Sequence, residues 1–145
     1  MINIELILRN LRKDKLSYEY LNSEEILRIH ALVIDETGGS HGVRDLNLFE
    51  SIVQRPMMQF GGQELYVNIF DKAATYFDSC AHHHVFIDGN KRTAISIAIR
   101  FLYLNGYGVS IKKGDMWNFV VKAVKNKYSI SKIADWLKKH STAEK

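Results

Sequence analysis

Asn90-Lys91-Arg92-Thr93-Ala94-Ile95-Ser96-Ile97-Ala98-Ile99-Arg100-Phe101-Leu102-Tyr103-Leu104 is apolar on nearly every side when wound as a helix. Only Thr93, Ser96, Arg100 and Tyr103 interrupt it after the first turn. Their spacings of 3, 4 and 3 place them on one stripe. A helix this apolar belongs at the centre of a domain, because an outer helix keeps a broad polar face. Asn105-Gly106 stops it. In front of it runs His84-Val85-Phe86-Ile87-Asp88-Gly89, a loop with a turn signal at its end.

Working outward, the spacing predicts a partner helix over about 66–82, where Tyr66, Ile69, Phe70, Ala73, Ala74, Phe77, Cys80 and Ala81 trace one apolar face. An earlier helix starts after Asn22, which can cap it, with Glu25 three residues on as in a capping box. Ile26, Ile29, His30 and Val33 give its stripe, and Gly38-Gly39 ends it. Asp45 caps a short helix over about 46–54, which Arg55-Pro56 ends. Gly61-Gly62 between Phe60 and Leu65 indicates a hairpin or turn. Asp115 and Ser131 can cap two last helices, about 115–126 and 131–140. Near the start, Ile2, Ile4, Leu6 and Leu8 alternate like a strand, while Ile4, Ile7, Leu8 and Leu11 also fit a helix. The sum is an all-α domain around one central apolar helix, with room for a small β-hairpin.

The 145 residues favour one domain, and 46% apolar residues suffice for one core. The single cysteine, Cys80, excludes an internal disulfide framework and a cysteine-based zinc site, and it fits a reducing cytoplasm. No apolar run exceeds four residues, so no membrane span or signal segment is expected. One proline argues against a many-turned all-β fold. The net charge is +4, and the excess sits late: residues 111–140 carry eight lysines against Asp115 and Asp135. That pattern reads as a solvated outer face or as a docking surface for an acidic partner. Ser129 to Leu137 has the length of a helix-turn-helix element but lacks the polar, basic face that reads base edges. Direct nucleic-acid binding is therefore not expected.

The chemistry concentrates in His84 to Arg92. Gly89 and Asn90 open a helix, whose first N–H groups have no partner within it. Lys91 and Arg92 in that first turn oppose the helix dipole, which is poor for stability and good for holding phosphate. Asp88 beside such a cradle would repel a polyphosphate unless a cation such as Mg²⁺ bridged them. His84, four residues earlier, is a residue type able to take a proton from an attacking hydroxyl. His82 and His83 lie on other faces and read as structural or surface residues, as do His30 and His41.

The stretch His84 to Arg92 resembles the signature of the Fic/Doc family, His-x-Phe-x-Asp/Glu-Gly-Asn-x-Arg, with every fixed position present. The likeness runs from about Leu21 to about Leu137. It takes in Gly38 to Asp45, Arg55-Pro56, Phe60-Gly61-Gly62 and Ala73-Ala74, which are similar to death-on-curing (Doc) toxins. It implies a catalytic domain over residues 21–145 preceded by an extension over 1–20. It implies that His84 is the general base, Asp88 holds Mg²⁺, and Gly89, Asn90, Lys91 and Arg92 bind the phosphates of ATP. Phe60, Gly61, Gly62, Gln63, Glu64 and Leu65 would form a flap that positions the target protein.

Two positions bear on the reaction. Fic proteins that transfer AMP resemble Gly-Asn-Gly-Arg followed by a second arginine, whereas this chain has Lys91 and Ile95 at those places. The lysine resembles Doc toxins, which implies transfer of the terminal phosphate of ATP to a Ser/Thr hydroxyl of elongation factor Tu and arrest of translation. Gly89, a glycine as in Fic proteins generally, keeps AMP transfer open as the alternative. A non-catalytic nucleotide- or partner-binding module is the third reading. No Ser/Thr-x-x-x-Glu-Gly/Asn inhibitory run is present, so the resemblance implies control by a separate antitoxin protein in the cytoplasm.

Overall fold

Among the described residues, six helices account for most of the fold. α1 (Ser23–Thr37) begins where the Asn22 side chain accepts from the Glu25 N–H, and α2 (Leu46–Gln54) where Asp45 accepts from Leu48. A 3-10 turn (Arg55–Met57) carries Pro56 and leads into a hairpin of β1 (Gln59–Phe60) and β2 (Gln63–Glu64). The strands are antiparallel, with Gln59 opposite Glu64 and Phe60 opposite Gln63, and Gly61-Gly62 turns between them at positive φ. α3 (Ile69–Ala81) and α4 (Asn90–Leu104) follow, then β3 (Tyr107–Val109), α5 (Lys113–Lys125), α6 (Ile130–Lys139) and β4 (Ser141–Ala143). The structure, a computed structural model, describes Asn3, Ile4 and residues 18–144. Most of the expected extension over 1–20, with its strand-or-helix alternation, lies outside the described residues.

The expected central helix shares the centre with α3, which is buried over most of its length. α4 packs most extensively on α3, and α3 packs in turn on α6. Ala73 and Ala74 of α3 and Ala94 and Ala98 of α4 are fully buried, and their small side chains let the backbones approach. Phe77, Phe101, Ile97 and Leu102 fill the space around them, each stabilising by about 1.5–3 kcal/mol through burial. Cys80 is sealed in the same layer, its thiol on the Asn90 carbonyl at 3.4 Å, and burial pushes the thiol pKa up. Glu19 joins the far end of α4: its N–H donates to Asn105 Oδ1 (2.8 Å) and its carbonyl accepts from Asn105 Nδ2 (2.9 Å).

Several expectations need correction. α3 starts at Ile69 because Asn68 caps it, so Tyr66 lies outside the helix. Asp115 sits within the first turn of α5, which begins at Lys113, and Ser129 rather than Ser131 caps α6. In α1 the buried set is Ile26, His30 and Ile34, with Val33 turned partly outward. Of the stripe of Thr93, Ser96, Arg100 and Tyr103, Thr93 is fully buried, and among the described residues its hydroxyl finds no partner. A second small sheet joins β3 to β4 in antiparallel register, Gly108 opposite Thr142. The eight late lysines are all exposed, and among the described residues none of them forms a salt bridge.

Candidate active site

The loop before α4 is fastened from three sides. Along one edge it pairs with residues 42–45: Arg44 and Asp45 donate to the Val85 carbonyl (2.7 and 3.2 Å), and Ile87 donates to Gly42 (3.1 Å). Across its own turn, the Asn90 side chain clasps Phe86 twice. Oδ1 accepts the Phe86 N–H at 2.9 Å and Nδ2 donates to the Phe86 carbonyl at 3.0 Å. Beneath, the buried Phe86 ring lies flat on His30, centroids 3.9 Å apart and planes 9° apart, with Phe49 edge-on at 6.0 Å. His30 Nε2 meets the Asp88 carbonyl at 2.8 Å, and since a carbonyl only accepts, the proton sits on Nε2. Burial lowers the His30 pKa, outweighing the opposing pull of that carbonyl.

Gly89 links this loop to α4 in the left-handed region (φ 77°, ψ 21°) and supplies no side-chain cap. A Cβ there would also come within 2.9 Å of Ile34 Cδ1. The first N–H groups of α4 are thus left for an outside acceptor. They open into a cleft of about 970 Å³. All six residues expected to do chemistry line it: His84, Asp88, Gly89, Asn90, Lys91 and Arg92.

His84 is exposed at the cleft mouth, and among the described residues its ring has no hydrogen-bond partner, so both nitrogens are open to a substrate. The Asp88 carboxylate is held by one oxygen, which accepts the Ser40 N–H at 2.7 Å, leaving the other for a ligand. Arg92 lies over the Trp117 ring, 5.2 Å from its centroid. Asp78, the second carboxylate of the cleft, is already engaged. One oxygen meets Arg55 Nη1 at 2.6 Å and the other meets His82 Nδ1 at 2.7 Å. Burial alone would lower the Arg55 pKa, but its bonds to Asp78 and Tyr66 raise it.

Among the described residues no three His, Cys, Asp or Glu side chains gather as a metal-ligand group. A lone hard carboxylate beside a phosphate cradle does fit Mg²⁺, which binds through one or two carboxylates plus substrate oxygens. The Asn90 side chain is committed to Phe86, so its share in a cradle is the backbone N–H. Phe60 to Leu65 do form the expected hairpin, yet none of them lines the cleft. The hairpin is instead tied to α3 through Glu64 and the fully buried Lys72, 3.1 Å apart, with Lys72 also donating to the Pro56 carbonyl at 2.9 Å.

The sequence reading missed Trp117, Lys127 and Tyr128 in the cleft wall, and His30 under the loop. For His30 a signal existed: a histidine inside an apolar helical stripe needs a polar partner when buried.

The Fic/DOC family matches residues 20–102. A protein named Toxin Doc from Mycolicibacterium smegmatis is 40% identical over 88 residues, which are 61% of this chain and 65% of that protein's length. Protein kinase doc of Escherichia phage P1 is 32% identical over 120 residues, 83% of this chain and 94% of its own length.

Proposed function

The chain belongs to the Fic/DOC family, and from that premise we propose that it is a Doc-like toxin that transfers the terminal phosphate of ATP to a Ser/Thr hydroxyl of a target protein. The observation that carries this reading is the convergence, in one cleft, of an unpartnered imidazole, a half-free carboxylate and an open helix start bearing two cations. His84 takes the proton of the target hydroxyl. The hydroxyl oxygen forms a bond to the γ-phosphorus as the bond from that phosphorus to the bridging oxygen breaks, and ADP leaves. The N–H groups after Gly89, with Lys91 and Arg92, bind and orient the transferred group and offset its charge. Asp88 would hold Mg²⁺, which would neutralise phosphate charge when bound.

Transfer of phosphate rather than AMP is supported by Ile95. It stands one turn into α4 and is buried in the core, so that position supplies no arginine for a longer phosphate chain. Elongation factor Tu is the target class implied by the resemblance to Doc toxins, and a separate antitoxin would restrain the enzyme. The hairpin of Phe60 to Leu65 would position the target by main-chain pairing.

The test is label transfer in cell extract with Mg²⁺ and ATP labelled at either the γ- or the α-phosphate. A protein band from the γ label alone is expected. His84→Ala should lower its rate by about 10²–10⁴ without changing stability, since the side chain is exposed. A band from the α label alone would establish AMP transfer instead.

A further inference from the structure

Lys127 occupies a position where lysine is strained. The chain leaves α5 through a tight turn in which Tyr128 donates to Ala123 at 2.9 Å and Lys127 donates to Val124 at 3.3 Å. These are the paired bonds of a Schellman turn, whose left-handed position is usually glycine. Lys127 holds it at φ 49°, and among the described residues it is the one non-glycine at positive φ. Asn126, a residue type that tolerates this region better, stands one position too early. The Lys127 side chain brings the fold no compensation: among the described residues it has no ion pair or ring contact. It lines the cleft instead. Its neighbour Tyr128 anchors the turn, packed 6.0 Å from Phe119 and covered by Lys132 Nζ at 4.0 Å.

The charges of the cleft show what this lysine faces. Its cations are Lys91, Arg92 and Lys127, and its carboxylates are Asp78 and Asp88. Asp78 is already matched by Arg55 and His82, which leaves Asp88 alone against three cations. One phosphoryl group is served by the start of α4 with Lys91 and Arg92. Arg92 is partly drawn onto Trp117, and α4 supplies nothing further because Ile95 is buried. The third cation therefore comes from a different wall, the α5–α6 turn. The volume of about 970 Å³ accommodates a nucleoside triphosphate.

We propose that Lys127 binds the phosphates of the donor nucleotide that lie outside the α4 cradle, and that its strained backbone is retained for this contact. The proposal rests on the reading of the cleft as an ATP-dependent transferase site. Binding of ATP with Mg²⁺, and separately of inorganic phosphate, would be measured by calorimetry on the full chain and on Lys127→Gly and Lys127→Arg. Lys127→Gly should weaken ATP about tenfold or more, the scale of one charge-assisted contact. It should leave phosphate binding unchanged and keep or raise Tm, because glycine relieves the strain. Lys127→Arg should stay within about twofold of the wild-type affinity for ATP. ATP affinity unchanged in Lys127→Gly would overturn the proposal with the transferase reading intact. Equal weakening of ATP and phosphate would place Lys127 in the cradle itself and also overturn it. A wild-type chain that binds no ATP would remove both.

Discussion

Residues 84–92 and residues 59–64 are both short excursions anchored to the α3–α4 pair, and they are secured in opposite ways. The first is fastened along its length, by main-chain bonds to residues 42–45, by the double clasp of Asn90 and by Phe86 stacked on His30. The second is held at its base through Lys72, while Phe60 at its tip is 81% exposed. The difference fits the work proposed for each. Reacting groups misplaced by about 1 Å lose much of their rate, and a loop proposed to carry them is accordingly over-determined. A segment proposed to meet another protein's backbone needs open edges, and these two strands are short and leave Phe60 uncovered.

The contrast can be broken most forcefully at Phe86. Phe86→Ala empties a fully buried site and should cost about 3–5 kcal/mol, read as a lower urea midpoint, with activity lost alongside. Lys72→Met should cost somewhat less, about 2–3 kcal/mol, because Glu64 is left half-buried without its partner while Pro56 loses a donor. Hydrogen exchange should then quicken over residues 57–65 and not over 84–92. Equal quickening in both would refute the separation, and adding Glu64→Gln should recover part of the stability.

A smaller effect comes from pH. The folded pKa of His30 lies below its ordinary value of 6.5, so the unfolded chain takes up the proton first as pH falls. This contribution to stability is complete above pH 6.5 and shrinks as pH drops toward the folded pKa. His30→Gln should flatten the slope of urea midpoint against pH between 7 and 5.5. The smallest change is Phe60→Ser, whose stability should stay within about 0.5 kcal/mol of wild type, as exposed positions do. Label transfer to the target should nonetheless fall.

Much of this was legible in the sequence where local signals were unambiguous. α4 starts and ends where its composition and the flanking Gly89 and Asn105-Gly106 indicate, and the motif lines one cleft except for Val85 and Phe86, which are buried in the core. The errors share a cause. Tyr66 looked helical because its ring is apolar, but it binds Arg55 from outside the helix while Asn68 sets the boundary. Ser129 and Ser131 are equally able caps, and only the path of the backbone selects Ser129. The β3–β4 pairing joins Val109 to Ser141 across a gap no local pattern encodes. Trp117 and Lys127 reach the cleft from α5 and the turn after it, far along the chain from the motif they face.

Cys80 gives the protein a built-in clock. It is the chain's one thiol, it lies beneath the first turn of α4, and burial holds it in the unreactive protonated form. A thiol reagent reaches it only when α3 and α4 part, so the rate of labelling counts openings of the helix pair that carries the cradle. Any ligand that grips the start of α4 should slow that count, and its binding would thereby be timed without attaching a probe to the cleft.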